Sequence, residues 1–362
     1  GGIACVLIFH RGWSAPGAML VGLAAALGLW WFMGSLISGR RIPKPLIAIG
    51  GGVGCCLIAW GLHVRTGWQL SLAIPVGLGA AVAGACLVWR LNIAQKVPPF
   101  IITLGGLLMY RGMFWLIIRS ETVPVVQGNQ SNLLSILTTY ALPGWAGLGL
   151  GAVVSAGIAW AAIVSRRRRR LHGFALEPWQ WTYLKVFVAA QAILLFALLM
   201  NRHRGVPLAA LVLGSVALGI HILTTHTPFG RYLYAIGGNE EAAVLSGVPV
   251  EKVIIGAYMI LGAIVALTGF MQTAYAGSST TTVGDLMELD AIAACVVGGT
   301  SLGGGRGNVL GVLIGALIMA SLLNGMAQMA VSPEMKFMAR GAVLALAVWM
   351  DAAISGRQGN SC

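Results

Sequence analysis

The chain has 362 residues, of which 58% are hydrophobic and only 9% charged, against roughly 25% charged in an ordinary soluble domain. That composition excludes a soluble globular fold and points to a protein that spends most of its length in lipid. A net charge of +13, from 23 basic and 10 acidic residues, would suit a nucleic-acid binder, but in so apolar a chain Lys and Arg gather in cytoplasmic loops and fix orientation instead.

Apolar stretches able to cross a hydrocarbon core of about 30 Å recur at 17–37, 46–62, 69–90, 97–118, 141–164, 184–201, 207–225, 253–275, 308–330 and 336–352. The expectation is an all-α, polytopic transmembrane helix bundle of about ten spans. Residues 3–9 read as the remnant of an earlier span, and the opening glycine in place of an initiator Met suggests a truncated start. Residues 289–302 are too short to cross comfortably and read as a broken or re-entrant helix, tolerable only if buried in protein. The 51 glycines, about twice the usual share, imply close helix packing. The six cysteines show no metal-ligand spacing, and five lie in apolar segments where a small hydrophobe is wanted.

A repeat is visible near the start. Residues 1–51 open GGIACVLIF, pass RGW and close RIPKPLIAIGG; residues 51–106 open GGVGCCLIA, pass RTGW and close KVPPFIITLGG. The first block, 1–50, is read as a partial duplicate of the transmembrane block that follows it. Because the second block continues into the rest of the protein, 51–354 is expected to be the functional membrane domain, with a cytoplasmic loop over 226–252.

Charge sets the orientation. Arg40, Arg41 and Lys44 mark one loop, the arginine run at 166–170 a second, and the stretch from Arg231 to Lys252 a third. Counting spans places all three on one side, which the positive-inside rule makes cytoplasmic. Residues 119–140 and 276–288 then face outward and the C-terminus is cytoplasmic, with the cluster Arg202, His203 and Arg204 as an exception on the outer side. The arginine run is suited to anionic lipid, and Trp179 and Trp181 to an interfacial belt.

Among residues that could carry chemistry, Arg111 lies well inside the span 97–118. A charge at that depth is costly and usually faces the bundle interior or a wet cavity. Arg340, one turn into 336–352 and near Lys336, is better suited to snorkelling. Gly307, Gly311 and Gly315 recur at four-residue spacing and so mark one face of the span 308–330 as a helix-packing surface. Asn324 and Gln328 share a helix face and suit either a polar path or interhelical hydrogen bonds. Glu288 and Asp290 precede the run AIAACVVGG, where they either stabilise a helix N-terminus or, for Asp290, line a pathway.

The stretch from Gly230 to Lys252, GRYLYAIGGNEEAAVLSGVPVEK, is the most readable element. Asn239 can cap a helix with its side-chain carbonyl, placing Glu240 and Glu241 in the first turn against the positive helix end. Gly247 can take the left-handed conformation that closes a helix, and Pro249 stops its continuation. The expectation is a helix of about two turns, roughly 10 Å long, exposed on the cytoplasmic side.

Other chemistries find no support in the sequence. GTSLGGGRG at 299–307 lacks the Lys-Ser/Thr ending of a phosphate-binding loop, so ATP binding by that route is not expected. There is no H-E-x-x-H, no paired cysteine ligands and no G-x-S-x-G, so neither a metal centre, a cofactor site nor a catalytic constellation is expected.

Four segments together resemble a known family. They are GRYLYAIGGNEEAAVLSGVPVEK, MELDAIAACVVGGTSLGGGRGNVLGVLIGALIMASLLNGM from Met287, VPPFIITLGGLLMYRGM from Val97, and GAVLALAVWMD from Gly341. Over roughly 51–352 the chain resembles the permease subunit of bacterial ABC sugar importers, within the ribose/xylose class and most similar to the xylose-type permeases. The resemblance implies a multi-pass protein of the bacterial inner membrane, paired with a second permease copy, fed by a periplasmic sugar-binding protein and driven by a cytoplasmic ATPase. It also implies that Glu241, Ala242, Ala243 and Gly247 form an E-A-A-x-x-x-G motif that docks on the ATPase, with Asn239 and Glu240 beside it. The I-x-L-P continuation of the broader motif is absent, as in this sugar class. Family members also carry further spans and a D-L-S-V-G-S-like stretch ahead of the point where this chain starts.

The reading is therefore a permease for a monosaccharide such as xylose, catalysing no covalent chemistry itself. An ion-coupled secondary transporter of a small polar solute is the alternative. It would need ionisable relays within spans, whereas no acidic residue precedes Glu121 and the rest lie at loops or span ends.

Overall fold

The computed structural model describes residues 1–38, 99–118, 121–126, 132–171, 178–202 and 204–359. The expected spans 46–62 and 69–90, the basic loop at Arg40 to Lys44 and most of the second repeat lie outside the described residues. The protein is an all-α, polytopic membrane protein. Its helices are α1 (Gly2–Arg11), α2 (Ala15–Ile37), α3 (Pro99–Ile118), α4 (Leu133–Thr139), α5 (Gly144–Leu171), α6 (Trp179–Asn201) and α7 (Leu208–His226), followed by α8 (Pro228–Gly238), α9 (Glu240–Leu245), α10 (Val250–Ala276), α11 (Met287–Val297), α12 (Val309–Gln328) and α13 (Pro333–Gly359). Among the described residues six helices are long and apolar enough to cross a membrane: α2, α5 over Gly144–Arg167, α6, α7, α10 and α12. Two further expected spans are occupied by α3 and α13, of 20 and 27 residues.

The chain divides into two compact units, residues 1–134 with 215–362, and residues 135–214. The smaller unit is a helical hairpin of α5 and α6. Its open end is closed by backbone hydrogen bonds from Leu142 N to Val206 O (2.9 Å) and from Leu208 N to Tyr140 O (3.0 Å), and by Asn201 Nδ2 donating to Gly144 O (2.8 Å). At the other end α5 runs on through the arginines at 166–170, which the sequence had placed in a loop. Arginine is a good helix former and favours a helix C-terminus, so the helix continues past the apolar stretch. Arg166 stacks 4.8 Å over Trp179 and donates to Thr182 Oγ1 at 3.0 Å, fastening α5 to α6.

In the larger unit α10 is the central post. Between lipid-embedded helices there is little hydrophobic drive to associate, so close packing at small residues carries the assembly. Trp30 of α2 stacks on Tyr258 of α10 at 6.0 Å and lies over Gly262, where a Cβ would come within 2.7 Å of the Trp30 Cβ. Gly34 meets Tyr258 in the same way, and Tyr110 of α3 donates to the Leu29 carbonyl at 3.2 Å. The helices built from the first repeat, α1 and α2, are thus seated against α3 and α10. A two-residue antiparallel ladder, β1 (Val123–Pro124) with β2 (Ser278–Ser279), joins the segment after α3 to the segment after α10.

α11, α12 and α13 form a second cluster around buried Ala293, Ala294 and Met319, with Val343 and Leu344 packed against them. The expected broken helix at 289–302 is the eleven-residue α11, which ends before residue 298. α12 begins at Val309 with Asn308 as its cap, the Asn308 Oδ1 accepting from Leu310 N at 3.1 Å. Gly307 therefore precedes the helix and packs against the Thr300 side chain, while Gly311 and Gly315 alone of the three lie on the face of α12.

Candidate functional site

The polar stretch after α7 is a helix-turn-helix rather than a loop. Thr227 caps α8 by accepting from Gly230 N at 3.4 Å, and Pro228 takes the first helical position, where its missing N–H costs nothing. Asn239 separates α8 from α9 with an extended backbone, and its Oδ1 accepts from Ala242 N at 3.0 Å. Glu240 and Glu241 occupy the first turn of α9, exposed, and Ala243 is buried beneath it. Gly247, at φ 79°, turns the chain out of α9, a conformation that a side chain with a Cβ adopts only at a cost. α10 starts three residues further on, directly after Pro249.

The outer face of α9 carries Val244 and Leu245, 55% and 89% exposed. Bare aliphatics beside two carboxylates on a short capped helix form a surface suited to a protein partner. Removing the cap tests the local physics. Asn239→Ala is expected to cost α9 about 1 kcal/mol, read as faster amide hydrogen exchange at Ala242 and Ala243 with exchange in α12 unchanged.

The far side of α8 is fixed to the turn between α11 and α12. A Cβ at Gly237 would lie 2.5 Å from Gly305 N, and one at Gly304 would lie 2.6 Å from Gly237 O. Two backbones can meet this closely only where neither carries a side chain, and Gly304 and Gly305 also adopt φ of 92° and 72°. Tyr234 of α8 adds a hydrogen bond from its hydroxyl to Gly307 O at 3.0 Å, and Asp351 of α13 accepts from Leu302 N at 3.2 Å.

From that turn α11 leads back into the bundle. A Cβ at Gly298 would lie 2.5 Å from Gly311 O, and one at Gly315 would collide with the Ala294 carbonyl oxygen. Asp290, in the first turn of α11, forms an ion pair with Arg340 Nε of α13 at 3.1 Å, both side chains about three-quarters covered. Just ahead of α11, Asp285 forms an ion pair with Arg111 of α3, whose guanidinium lies 5.8 Å from the Trp115 ring centre.

Comparison with known proteins matches the sequence to a transport family. The family described as the branched-chain amino acid transport system, permease component, matches residues 45–348. The xylose transport system permease protein XylH of Escherichia coli K12 is 39% identical over 316 residues, covering 86% of this chain and 77% of its own length. The chain belongs to this permease family. The XylH of Haemophilus influenzae is 38% identical over 335 residues, covering 92% of this permease and 78% of its own length. The ribose import permease protein RbsC of E. coli is 44% identical over 151 residues, 42% of this permease and 47% of its own length. No solved structure matches.

Of the pathway residues expected from sequence, the permease pairs Arg111 with Asp285 and Asp290 with Arg340, while Asn324 and Gln328 stand exposed on α12 outside both pairs. Asp285, Tyr234, Gly237 and Leu245 were not singled out by sequence reasoning. A signal existed for α8 in the Thr-Pro start at 227–228. Asp285 had none, because its partner is 174 residues away.

Proposed function

We propose that this permease is the membrane subunit of an ATP-driven monosaccharide importer, with a pentose such as xylose as its cargo. The observation that carries the sugar is the match to xylose-system permeases along 86% of the chain, whereas the ribose permease match covers 42%. In this reading α9, with Asn239, Glu240, Glu241, Ala242, Ala243 and Gly247, docks on a cytoplasmic ATPase subunit that hydrolyses ATP. A periplasmic binding protein delivers the sugar, and two permease copies enclose the path. The exposed aliphatics of α9 and its tight attachment through α8 support a docking role, since a docked element must be both accessible and stiffly connected.

Reconstitution of the permease with its ATPase and binding protein in proteoliposomes is the test. ATP-dependent accumulation of labelled xylose, with no accumulation of leucine, is the expected result. Leucine accumulation would move the cargo to the amino acids of the family description. Xylose accumulation by the permease alone, driven by an ion gradient, would replace this reading with a secondary transporter.

A further inference from the structure

The non-helical residues 279–285 run from the end of β2 to the start of α11, and their position along α3 is fixed at two points. At the top Ser279 pairs with Val123, beyond the end of α3 at Ile118. At the bottom Asp285 pairs with the guanidinium of Arg111, whose backbone lies seven residues, about 10 Å, back along α3 from Ile118. α11 cannot make the crossing alone. Its eleven residues span about 16 Å of a core about 30 Å thick, and its far end leads into the glycine turn held by α8. The irregular segment supplies the remaining depth.

Its backbone is a series of tight turns, closed by Val283 N to Thr280 O and Asp285 N to Thr282 O, each at 3.2 Å, and followed by Leu286 at φ 62°. Thr282 and Asp285 are exposed, Asp285 by 42% of its side chain. Exposed irregular backbone with hydroxyls and a carboxylate is not tolerated against hydrocarbon. At membrane depth it persists only against protein or a water-filled cavity. The side chains decide between these. Thr280 and Thr282, whose hydroxyls lie 3.1 Å apart, offer both donors and acceptors. Arg111 and Asp285 add a fixed donor and a fixed acceptor, and Trp115, half exposed, adds an aromatic face beside them. Hydroxyls, a charged pair and an aromatic plane together complement a sugar, which presents a rim of hydroxyls and an apolar C–H face.

We propose that residues 279–285 line the translocation path on its outer side, and that Arg111, Asp285 and Trp115 form a station where the passing monosaccharide is briefly held. The station rests on the importer reading. Sugar hydroxyls replace part of the Arg111–Asp285 contact as the sugar arrives, which keeps neither charge bare at any step.

The full transport complex with Thr282→Cys, in sealed vesicles with the outer face outward, is treated with a membrane-impermeant thiol reagent. Labelling above that of the parent chain is expected, because the parent's own cysteines set the background. Arg111→Gln and Asp285→Asn are each expected to lower xylose uptake by at least about tenfold, with the ATPase still co-purifying. The double exchange Arg111→Asp with Asp285→Arg restores an ion pair but not the arrangement around the sugar, so uptake is expected to stay low. An unreactive Thr282→Cys, or normal uptake in the double exchange, would overturn the station. The two failures separate. Absence of ATP-driven xylose uptake by the parent complex overturns the importer reading and the sugar with it, whereas normal parent uptake with an unreactive Thr282→Cys overturns the path alone.

Discussion

Gly315→Leu is expected to abolish recovery of folded permease, while Gly325→Leu on the same helix is tolerated. The difference lies in what each Cβ would meet. At Gly315 it runs into the Ala294 carbonyl oxygen and lies 2.9 Å from Gly298 N, both of them backbone atoms of α11 and its end. At Gly325 nothing lies within 4 Å. Backbone cannot rotate aside as a side chain can, so α12 must part from α11 along its length. The separation would open the contact at Gly311 and Gly298 and the small core at Ala293, Ala294 and Met319. Overpacking of this kind costs about 3 kcal/mol or more, and association in lipid has little hydrophobic drive to offset it. Size-exclusion profiles and apparent Tm in one detergent separate the outcomes. Gly315→Leu should aggregate or lose more than about 5 °C, and equal behaviour of the two variants would refute the packing account.

The same contrast shows what the sequence could and could not reveal. α9 was legible because everything that shapes it is local: the Asn239 side chain reaches only to Ala242, and Gly247 acts on its own backbone. Spacing alone was less secure. Gly307, Gly311 and Gly315 share one four-residue period, but the cap at Asn308 starts α12 after the first of them. The arginines at 166–170 looked like a loop because charge was read as topology, whereas the helix dipole and arginine's own propensity extend α5 through them. Farthest from reach were contacts set by tertiary packing. Arg111 stood out as a charge well inside an apolar span, yet nothing local points to Asp285. Gly237 and Gly305 carried no sign that their backbones would touch, and the seating of α1 and α2 against α10 depends on Trp30 and Tyr258 meeting across the bundle.

Gly237→Val is expected to leave the ATPase bound and hydrolysing while sugar uptake falls by at least about tenfold. α9 is joined to α8 by the single residue Asn239, so a push on α9 moves α8. α8 in turn touches the turn after α11 backbone to backbone, through Gly237 with Gly304 and Gly305, and is pinned there by the Tyr234 hydroxyl on Gly307 O. The turn is not loose at its other side. Leu302 N is held by Asp351 of α13, and twelve residues earlier Asp290 of α11 is held by Arg340, eleven residues before Asp351. The two contacts, at matching spacing, tie α11 and the turn that follows it to α13 as one stiff ladder. Its upper end lies beside Asp285 and the irregular segment of the proposed path. A displacement at α9 therefore has a continuous route of rigid contacts to the proposed path. A contiguous route is only a candidate for coupling until a variant breaks the coupling alone. Valine at 237 does so by forcing α8 off the turn without touching the exposed face of α9. Tyr234→Phe is the graded companion, removing one hydrogen bond worth about 1 kcal/mol and leaving the backbone contact; its sugar-to-ATP ratio should fall only a few-fold. Measured together in proteoliposomes, an unchanged ratio in Gly237→Val would mean that force leaves α9 by another route, and loss of the co-purified ATPase would mean that α8 shapes the docking face itself.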